Sequence, residues 1–382
     1  MTRPPLSLYV HIPWCVRKCP YCDFNSHVSA DTNGGIPETS YLSQLKLDLA
    51  QDLSYVQGRS VKSIFFGGGT PSLMSGEFYN DLLTYIESYI PFHPDIEITL
   101  EANPGTTEAG RFKAYHQAGI NRLSIGVQSF QADHLKRLGR IHSGDDAIRA
   151  VEQAKRAGFD NLNIDLMHGL SEQSVEEAMA DLKQAISLEP THLSWYQLTI
   201  EQNTEYFRHP PKLPEDEALW DIQKAGAEVL KEAGFYQYEV SAFSKKDREA
   251  KHNLNYWTFG DYIGIGAGAH SKITILGDSE RILRYRKTRT PKDYLLPKPH
   301  FRVGEETVAS QDLAFEFLMN VLRLNQGVDE TLLQERTGLS ILTLEPKLSE
   351  LRKMGLIETS RLGTTQKGHL FLNSILDKFS EI

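Results

Sequence analysis

Residues 6–22 read LSLYVHIPWCVRKCPYC, an apolar run that ends directly in three closely spaced cysteines, the only three of the chain. The run from Leu6 to Ile12 predicts a buried β-strand, and the C-x3-C-x2-C spacing predicts a short loop that gathers three thiolates around one object. A zinc site normally uses four ligands and would leave this chain one cysteine short. A 4Fe–4S cluster held by Cys15, Cys19 and Cys22 fits better, because its fourth iron stays open for a small ligand. Three packed thiols are the alternative, and a dense cluster in a cysteine-poor chain argues against it.

The first 235 residues repeat one unit, a short β-rich run followed by a loop and a segment of helical periodicity. Strands are predicted at Leu6–Ile12, Val61–Phe66, Ile96–Leu100, Arg122–Val127, Asn161–Leu166 and His192–Leu198. Helices are predicted at Tyr41–Tyr55, Gly76–Tyr89, Thr107–Ala118, Asp145–Ala157, Ser174–Leu188 and Pro214–Ala233. Six βα units are too few for a closed eight-stranded barrel, so the sequence predicts an α/β fold with a partial (β/α)6 TIM-like barrel.

Polar and glycine residues follow these strands at their carboxyl ends, where parallel α/β folds form their ligand sites. The segment Gly67–Thr70, then Glu101, Gln128 and Asp165, comes after four of the strands. The glycine triplet predicts that a ligand approaches backbone N–H groups, although a tight turn would select glycine equally. A carboxylate such as Glu101 suits an ammonium or a ribose hydroxyl, with a structural salt bridge as the alternative. We therefore expect one site at the mouth of the barrel.

Several segments resemble the radical S-adenosylmethionine (SAM) proteins. They are SLYVHIPWC, FFGGGTPS, EANPG, RLSIGVQSF and IDLMHGL, which look like the branch that contains anaerobic coproporphyrinogen III oxidase. Within that branch, HNLNYW at 252–257 and GIGAGAH at 264–270 resemble the heme chaperones. The resemblance covers essentially the whole chain. It implies a radical SAM barrel, a 4Fe–4S cluster on the three cysteines, and SAM that chelates the open iron and is cleaved to a 5′-deoxyadenosyl radical.

The resemblance also implies roles for individual residues. Gly68, Gly69 and Thr70 match positions that contact the amino group and nearby parts of SAM. Tyr9 and Glu101, with Gly68, match positions around this first SAM. Four further residues match positions that lie at a second SAM in the oxidase, namely Tyr21, Gln128, Arg140 and Asp165. Whether one or two SAM molecules bind stays open.

Two departures from the oxidase pattern distinguish between two possible functions. The oxidase carries a further cysteine at the position of Phe24, and only five residues precede Leu6, so an extension that covers the site is not expected. Both features argue against oxidative decarboxylation of coproporphyrinogen and favour a chaperone that binds heme and delivers it to other proteins. Coproporphyrinogen III oxidase, or another radical SAM enzyme, is the alternative. An electron-transfer protein is a third hypothesis, which explains neither the glycine loop nor the aromatic segment.

The segment around His252 carries the prediction of heme binding. Asn and Gly residues between 252 and 270 predict loops, and Tyr256, Trp257 and Tyr262 offer flat apolar surface. An imidazole beside such rings suits a porphyrin with histidine as the axial iron ligand, and we expect His252 first and His270 second. A packed, hydrogen-bonded corner is the alternative.

The carboxyl-terminal part of the chain differs in pattern. Residues 298–308 resemble a linker, and after them the sequence predicts helices near 311–322, 342–354 and 369–379 with a hairpin over 356–365, the shape of a winged helix. Its charges are nearly balanced, so protein contact or capping of the barrel is favoured over DNA binding. The predicted domains are residues 1–235, the barrel; 236–298, a strand with the aromatic and histidine loop; and 299–382, the winged-helix-like domain.

Net charge and the distribution of apolar residues limit the classes of partner that are expected. The net charge of −9 over 382 residues argues against nucleic acid, and no apolar segment approaches the length of a spanning helix. The amino terminus lacks the apolar core of a secretory signal, so a cytoplasmic protein is expected. The resemblance implies heme-accepting partner proteins, with respiratory proteins among the candidates, and an electron donor for the cluster. Peripheral contact with a membrane stays open.

Overall fold

The structure is a computed structural model that describes residues 1–28, 35–105, 110–277 and 280–380. The strands in chain order are β1 (Leu6–Ile12), β2 (Trp14–Cys15), β3 (His27–Val28), β4 (Val61–Gly68), β5 (Phe92–Ala102), β6 (Arg122–Gln128), β7 (Leu162–His168), β8 (His192–Gln197), β9 (Tyr236–Glu239), β10 (Ala242–Ser244), β11 (Asp261–Ile265), β12 (His270–Ile275), β13 (Arg281–Lys287) and β14 (Arg302–Thr307). The helices are α1 (Glu38–Asp52), α2 (Gly76–Tyr89), α3 (Phe112–Gln117), α4 (Ala132–Arg137), α5 (Gly144–Arg156), α6 (Val175–Ser187), α7 (Glu205–Arg208), α8 (Asp216–Glu232), α9 (Lys251–Trp257), α10 (Pro291–Leu295), α11 (Leu313–Val321), α12 (Thr331–Thr337), α13 (Lys347–Lys353), α14 (Gln366–His369) and α15 (Leu372–Phe379). The predicted helix start at Thr107 lies outside the described residues.

One large sheet organises the molecule. Among the described residues, twelve strands join in the order β14-β13-β12-β11-β1-β4-β5-β6-β7-β8-β10-β9. The six predicted strands are β1 and β4 to β8, and they pair in parallel with their chain neighbours, as repeated βα units predict. This arrangement confirms the predicted α/β, TIM-like architecture.

The two faces of the parallel strands differ in chemistry. On β1, Leu8 and Val10 pack into the main hydrophobic core with helix residues such as Tyr41. The alternate residues are polar; Ser7 and His11 are buried and Tyr9 is half-buried, and the hydroxyl of Ser7 lies 2.7 Å from that of Ser63 on β4. Because side chains alternate between the faces of a strand, the sheet has an apolar face toward the helices and a polar concave face below the site.

Local sequence signals start and stop the outer helices. Ser143 and Ser174 each close a capping box, in which the side chain accepts from the N–H of the third helical residue. Gly119, Gly158 and Gly234 follow helices with positive φ, as their positions predict. In the part of the chain that the structure describes, no helix is both long and apolar enough to cross a membrane.

Residues 236–307 contain more regular structure than their glycine and asparagine content predicts. Lys251–Trp257 is helix α9, and Asp261–Ile265 is strand β11, which pairs in parallel with β1 as a seventh parallel strand. The predicted linker contains β14, which pairs with β13. The loop prediction for 252–257 and 261–265 and the linker prediction for 302–307 are therefore wrong. Burial of Ile263 and Ile265 against the main core outweighs the low strand propensity of the flanking glycines.

A second hydrophobic core forms at the carboxyl terminus. It is built around Phe317, Leu333, Leu348 and Phe379 and joins the barrel through Phe259. The single helix predicted over 342–354 is divided into a 3₁₀ turn and α13, because Pro346 lacks the N–H that would continue the helix. An isolated antiparallel bridge between Ile357 and Thr364 stands where the hairpin was predicted.

Candidate functional site

The cysteine loop follows β1 and is held at both ends by backbone contacts. The N–H of His27 donates to the carbonyl of Pro13 over 2.7 Å, and β2 pairs with β3 directly beside it. Within the loop, the N–H of Cys22 donates to the carbonyl of Cys19 over 3.1 Å. Cys15 is buried, whereas Cys19 and Cys22 are half-buried. The loop is thus a fixed turn that offers its thiols to the mouth of the barrel.

Each cysteine sulfur has a polar neighbour at hydrogen-bond distance. The pairs are Thr70 Oγ1 with Cys15 Sγ at 3.5 Å, Arg140 Nη1 with Cys19 Sγ at 3.6 Å, and Ser26 Oγ with Cys22 Sγ at 3.7 Å. Burial raises the pKa of the Cys15 and Cys22 thiols, so donors at the sulfurs are needed to stabilise the thiolates that an iron–sulfur cluster requires. No three His, Cys, Asp or Glu side chains within the described ranges approach closely enough to hold a single metal ion. The donor chemistry of the loop fits a 4Fe–4S cluster.

A chain of hydrogen bonds connects two of these sulfur donors. Arg140 Nη2 donates to Asn103 Oδ1 over 2.7 Å and to the carbonyl of Gly126 over 2.7 Å. Asn103 Nδ2 in turn donates to Thr70 Oγ1 over 3.1 Å. Asn103 was not predicted as a site residue, although it follows Glu101 in the EANPG segment. It fixes the orientation of both donors and so links the sulfurs of Cys15 and Cys19.

One cavity of about 320 Å³ collects most of the predicted residues. Its walls include the three cysteines and Tyr21, Gly68, Gly69, Thr70, Glu101, Gln128, Arg140 and Asp165, with Asn103 and Tyr196 in addition. Positions matched to a first and to a second SAM therefore line a single space. Its volume is near the lower end of the roughly 300–1,000 Å³ that small-molecule sites occupy. Tyr9, His252 and His270 are not among its lining residues.

Two carboxyl groups, those of Glu101 and Asp165, line this cavity. Burial and then the charge of Asp165 raise the pKa of Glu101 to about 8, against the N–H of Gly68, which donates to Glu101 Oε2 over 3.2 Å. Asp165 also has a raised pKa through burial, although its oxygens accept from Asn163 Nδ2 at 2.7 Å and Ser124 Oγ at 3.1 Å. Such a pair gains stability when a cation enters, so the cavity suits a ligand that carries an ammonium group.

Gln128 has an unusual backbone conformation. It ends β6 with φ of 70°, the left-handed region that non-glycine residues seldom adopt. The hydroxyl of Tyr196 donates to Gln128 Oε1 over 2.8 Å and fixes its amide. Residues in sparsely populated backbone regions persist only where their surroundings hold them, and they often mark functional sites.

The loop that contains Gly68 and Gly69 needs glycine because other protein atoms leave no room for a Cβ there. A Cβ on Gly68, whose φ is +115°, would lie 2.5 Å from Cε1 of the His11 ring, and a Cβ on Gly69 would lie 2.5 Å from the carbonyl oxygen of Trp14. His11 Nε2 donates to the carbonyl of Asn25 over 2.9 Å, so its Nδ1 is the acceptor for the Tyr9 hydroxyl, also at 2.9 Å. The glycines thus let β4 pack against the imidazole that supports the cysteine loop, whether or not a ligand approaches them.

Tyr9 and His252 lie together in the barrel interior. The Tyr9 ring stacks on Phe65 at 6.3 Å between centroids, and the His252 ring stacks on Phe65 at 4.5 Å. Tyr256 meets His252 edge-on at 4.4 Å. His252 is 4% exposed, and burial lowers its pKa to about 3. The imidazole is therefore enclosed by rings, the packed corner that was the alternative to a heme ligand.

The GIGAGAH segment braces the cysteine loop from outside. Asn25 Nδ2 donates to the carbonyls of Ala267 and Arg289 over 3.0 and 2.8 Å, and a Cβ on Gly268 would lie 2.2 Å from that nitrogen. His270, at the start of β12, is exposed. Burial of part of its ring, followed by the charges of Arg286 and Arg284, lowers its pKa, so the imidazole is neutral near pH 7.

The chain matches two family models. Residues 9–182 match the radical SAM superfamily, and residues 308–371 match the HemN C-terminal domain. It is 50% identical over 378 residues to heme chaperone HemW of Escherichia coli strain K12, with 98% of each chain covered. It is 32% identical over 382 residues to heme chaperone HemW of Bacillus subtilis strain 168, again with 98% of each covered.

A solved structure shares the fold over nearly the whole chain. It is coproporphyrinogen III oxidase (HemN) from Escherichia coli, a radical SAM enzyme, with a TM-score of 0.81 and 23% identity. The match covers 99% of this chain and 90% of that one. At this level of identity the likeness establishes the architecture.

Proposed function

The chain belongs to the HemW family of radical SAM proteins, and we propose that it binds heme and transfers it to acceptor hemoproteins. Membership implies a 4Fe–4S cluster and SAM, which together supply one-electron reducing chemistry when bound. Cys15, Cys19 and Cys22 would hold the cluster. The SAM would occupy the cavity of about 320 Å³ beside them.

Phe24 is the observation that carries the choice between chaperone and oxidase. It stands where the oxidase pattern has a further cysteine, and it lines the cysteine cavity as a residue that is 60% exposed. A phenyl ring can neither ligate iron nor transfer a proton. Because Phe24 is exposed at the cavity, its ring is available for contact with an apolar ligand or a partner protein.

The cavity residues have separable roles in this proposal. Glu101 and Asp165 would accept from the ammonium of SAM, which would lower the raised pKa of Glu101. Arg140 and Thr70 would keep their hydrogen bonds to the cysteine sulfurs. Tyr9, outside the cavity walls, would act through His11, which supports Asn25 and the loop.

The heme ligand is a separate question. His252 and His270 stay the candidates that the sequence predicts. His270 is exposed, whereas His252 would have to leave its stack on Phe65 before an iron could reach it. Substitution of each histidine by alanine, with the heme absorption spectrum as the measurement, distinguishes them.

The proposal also covers the protein's partners and its location in the cell. The family name implies heme-accepting proteins as partners, and we include respiratory hemoproteins among them, together with an electron donor for the cluster. A cytoplasmic location and a peripheral contact with the membrane would bring the protein to such acceptors.

Anaerobic reconstitution tests the proposal against the oxidase alternative. The chaperone hypothesis predicts close to one heme bound per chain and no CO2 released from coproporphyrinogen III in the presence of SAM and a reductant. Phe24→Cys is the informative variant, because it restores the oxidase pattern at one position. Repeated turnover of coproporphyrinogen III by the unmodified protein would overturn the proposal.

A further inference from the structure

A chain of hydrogen bonds runs from helix α9 to the cysteine cavity. Its members in order are Asn253 on α9, Tyr238 on β9, His192 on β8, and Asn163 and Asp165 on β7. Asn253 Nδ2 lies 3.1 Å from the Tyr238 hydroxyl, which lies 2.8 Å from His192 Nε2. His192 Nδ1 lies 2.6 Å from Asn163 Oδ1, and Asn163 Nδ2 lies 2.7 Å from Asp165 Oδ1. Of these five residues, only Asp165 lines the cavity.

The chemistry of the members fixes the direction of each bond. An ionised Asp165 only accepts, so Asn163 presents its amide NH2 group to it and uses Oδ1 to accept from His192. Burial, and then the positive charge of Arg122, hold the pKa of His192 well below its ordinary value. The imidazole is therefore neutral and has a single N–H, which is at Nδ1. Its Nε2 is left as the acceptor for the hydroxyl of Tyr238.

All four bonds donate in the direction of Asp165. The Tyr238 hydroxyl keeps its proton, because burial raises its pKa, and its oxygen accepts from Asn253. Hydrogen bonds in a row polarise one another, and a donor at a carboxylate favours its ionised form. The chain therefore supports the anion of a carboxyl group whose pKa is raised by burial.

Neighbouring strands bring other charged and titratable groups to Asp165. Among the described residues these are Glu101 on β5, whose charge opposes ionisation, Arg122 on β6, whose charge favours it, and Tyr196 on β8, whose pKa is raised by burial. Ser124 Oγ also donates to Asp165 Oδ2 over 3.1 Å. Since burial and Glu101 both disfavour the anion, each donor at Asp165 matters for its charge.

A purely structural role is the alternative, because the same bonds link β7, β8 and β9. The branching of the chain argues against it. Asn163 Nδ2 donates to Asp165 Oδ1 and also to Ser124 Oγ, over 2.7 Å in each case, and Ser124 in turn donates to Asp165 Oδ2. The Asn163 amide thus supports both oxygens of one carboxyl group. In a network that only joins strands, nothing requires both branches to end on a carboxyl group at the wall of a ligand cavity.

We propose that His192 is a positioning residue for SAM, which acts through Asn163 to hold the Asp165 carboxylate ready for the ammonium group. Tyr238 and Asn253 fix the tautomer of the imidazole. The inference rests on the proposed function, because it requires SAM in the cavity. It also gives the HNLNYW segment, which contains Asn253, a role at that cavity. Residues that orient a ligand-binding group in this way determine how well the group is organised before the ligand arrives.

Calorimetric titration of SAM into the anaerobically reconstituted full-length protein tests this role. His192→Leu removes the donor to Asn163 and should weaken SAM binding roughly 2- to 12-fold, the loss expected for one hydrogen bond. Because the Asp165 anion loses support, the rise of SAM affinity with pH should also move to higher pH. His192→Asn places an amide N–H near the position of Nδ1, so it should restore both the affinity and its pH dependence.

Two controls separate positioning from general damage to the fold. Desamino-SAM, in which hydrogen replaces the amino group, should bind to His192→Leu as tightly as to wild type, because it has no ammonium for Asp165 to accept from. His134→Leu is the matched control variant. His134 is a buried histidine on α4 that lies beside Glu177, outside the hydrogen-bond chain, so its replacement should leave SAM affinity unchanged.

The outcomes separate this inference from the proposed function. Wild-type protein that binds no SAM would end both. Unchanged SAM affinity in His192→Leu, or equal weakening of SAM and desamino-SAM, would overturn the positioning role alone. If His192→Leu does not incorporate the cluster, Tyr238→Phe tests the same chain by loss of one hydroxyl. That variant should weaken SAM binding roughly 2-fold, and wild-type affinity in it would count against the role.

Discussion

Gly68→Ala isolates the contact that joins the glycine loop to the cysteine loop. Because φ at Gly68 is +115°, an alanine there should lower the free energy of unfolding by about 1–3 kcal/mol through backbone strain. The new methyl group would also meet three atoms of the His11 ring at 2.5 to 2.8 Å, and overpacking of this kind costs about 1–3 kcal/mol. The ring cannot swing away freely, because Tyr9 and Asn25 bind its two nitrogens at 2.9 Å each. We expect a total destabilisation of about 2–6 kcal/mol.

Gly277→Ala is the control for the backbone component. Its φ is +126°, and no atom of the described residues lies within 4 Å of the position that an added Cβ would take, so only the cost of the backbone, about 1–3 kcal/mol, should appear. Urea unfolding followed by tryptophan fluorescence measures both variants. When Gly68→Ala is combined with His11→Ala, no imidazole meets the new methyl group. The steric part of the destabilisation should therefore disappear, and the backbone part should remain. Equal destabilisation by Gly68→Ala and Gly277→Ala would refute the view that the imidazole requires glycine at position 68.

Three further predictions concern the cofactor site. Alanine at any one of the three cysteines should abolish stable cluster incorporation, and full iron and sulfide content in one such variant would contradict the assignment. Arg140→Met removes a donor and a positive charge from Cys19 Sγ, so the cluster's reduction potential should fall on the order of 50–100 mV in a redox titration, equivalent to about 1–2 kcal/mol for one electron. Arg156→Met, which removes an exposed cation from α5, should leave the potential unchanged. The pKa of Glu101 is raised to about 8, so this carboxyl is mostly protonated at pH 7, and SAM binding should release a proton and strengthen as the pH rises through 8. Calorimetry in two buffers should show the proton release in wild type and its loss in Glu101→Gln. Proton uptake by wild type on SAM binding would contradict this role of Glu101.

The parallel sheet and the mouth of the barrel were predictable for physical reasons. Each strand is a short β-rich run followed by a helix of regular length, and such units place their carboxyl ends at one edge. Glu101, Gln128 and Asp165 therefore line one cavity with the cysteines, as expected from their positions after strands. Strand β11 escapes sequence-based prediction because Gly264 and the glycines that flank the strand resemble a loop, and only pairing with β1 makes it a strand.

Other parts of the site depend on contacts between distant residues. Asn103 connects Thr70 and Arg140, and a local pattern carries no signal for that bridge. The glycine loop resembles a ligand contact in sequence because the His11 ring beneath it is distant along the chain. The sequence favours His252 for heme because its neighbours are aromatic, and the structure shows that those rings enclose it.

Transfer of heme is the most direct test of the chaperone account. The protein, loaded with one heme and freed of excess, is mixed with an apo-hemoprotein whose activity requires heme, and the recovered activity is compared with that from the same amount of free heme. The account predicts stoichiometric transfer that exceeds delivery by spontaneous release in the presence of a heme scavenger. Transfer no faster than the scavenger's capture of heme from the protein would contradict it.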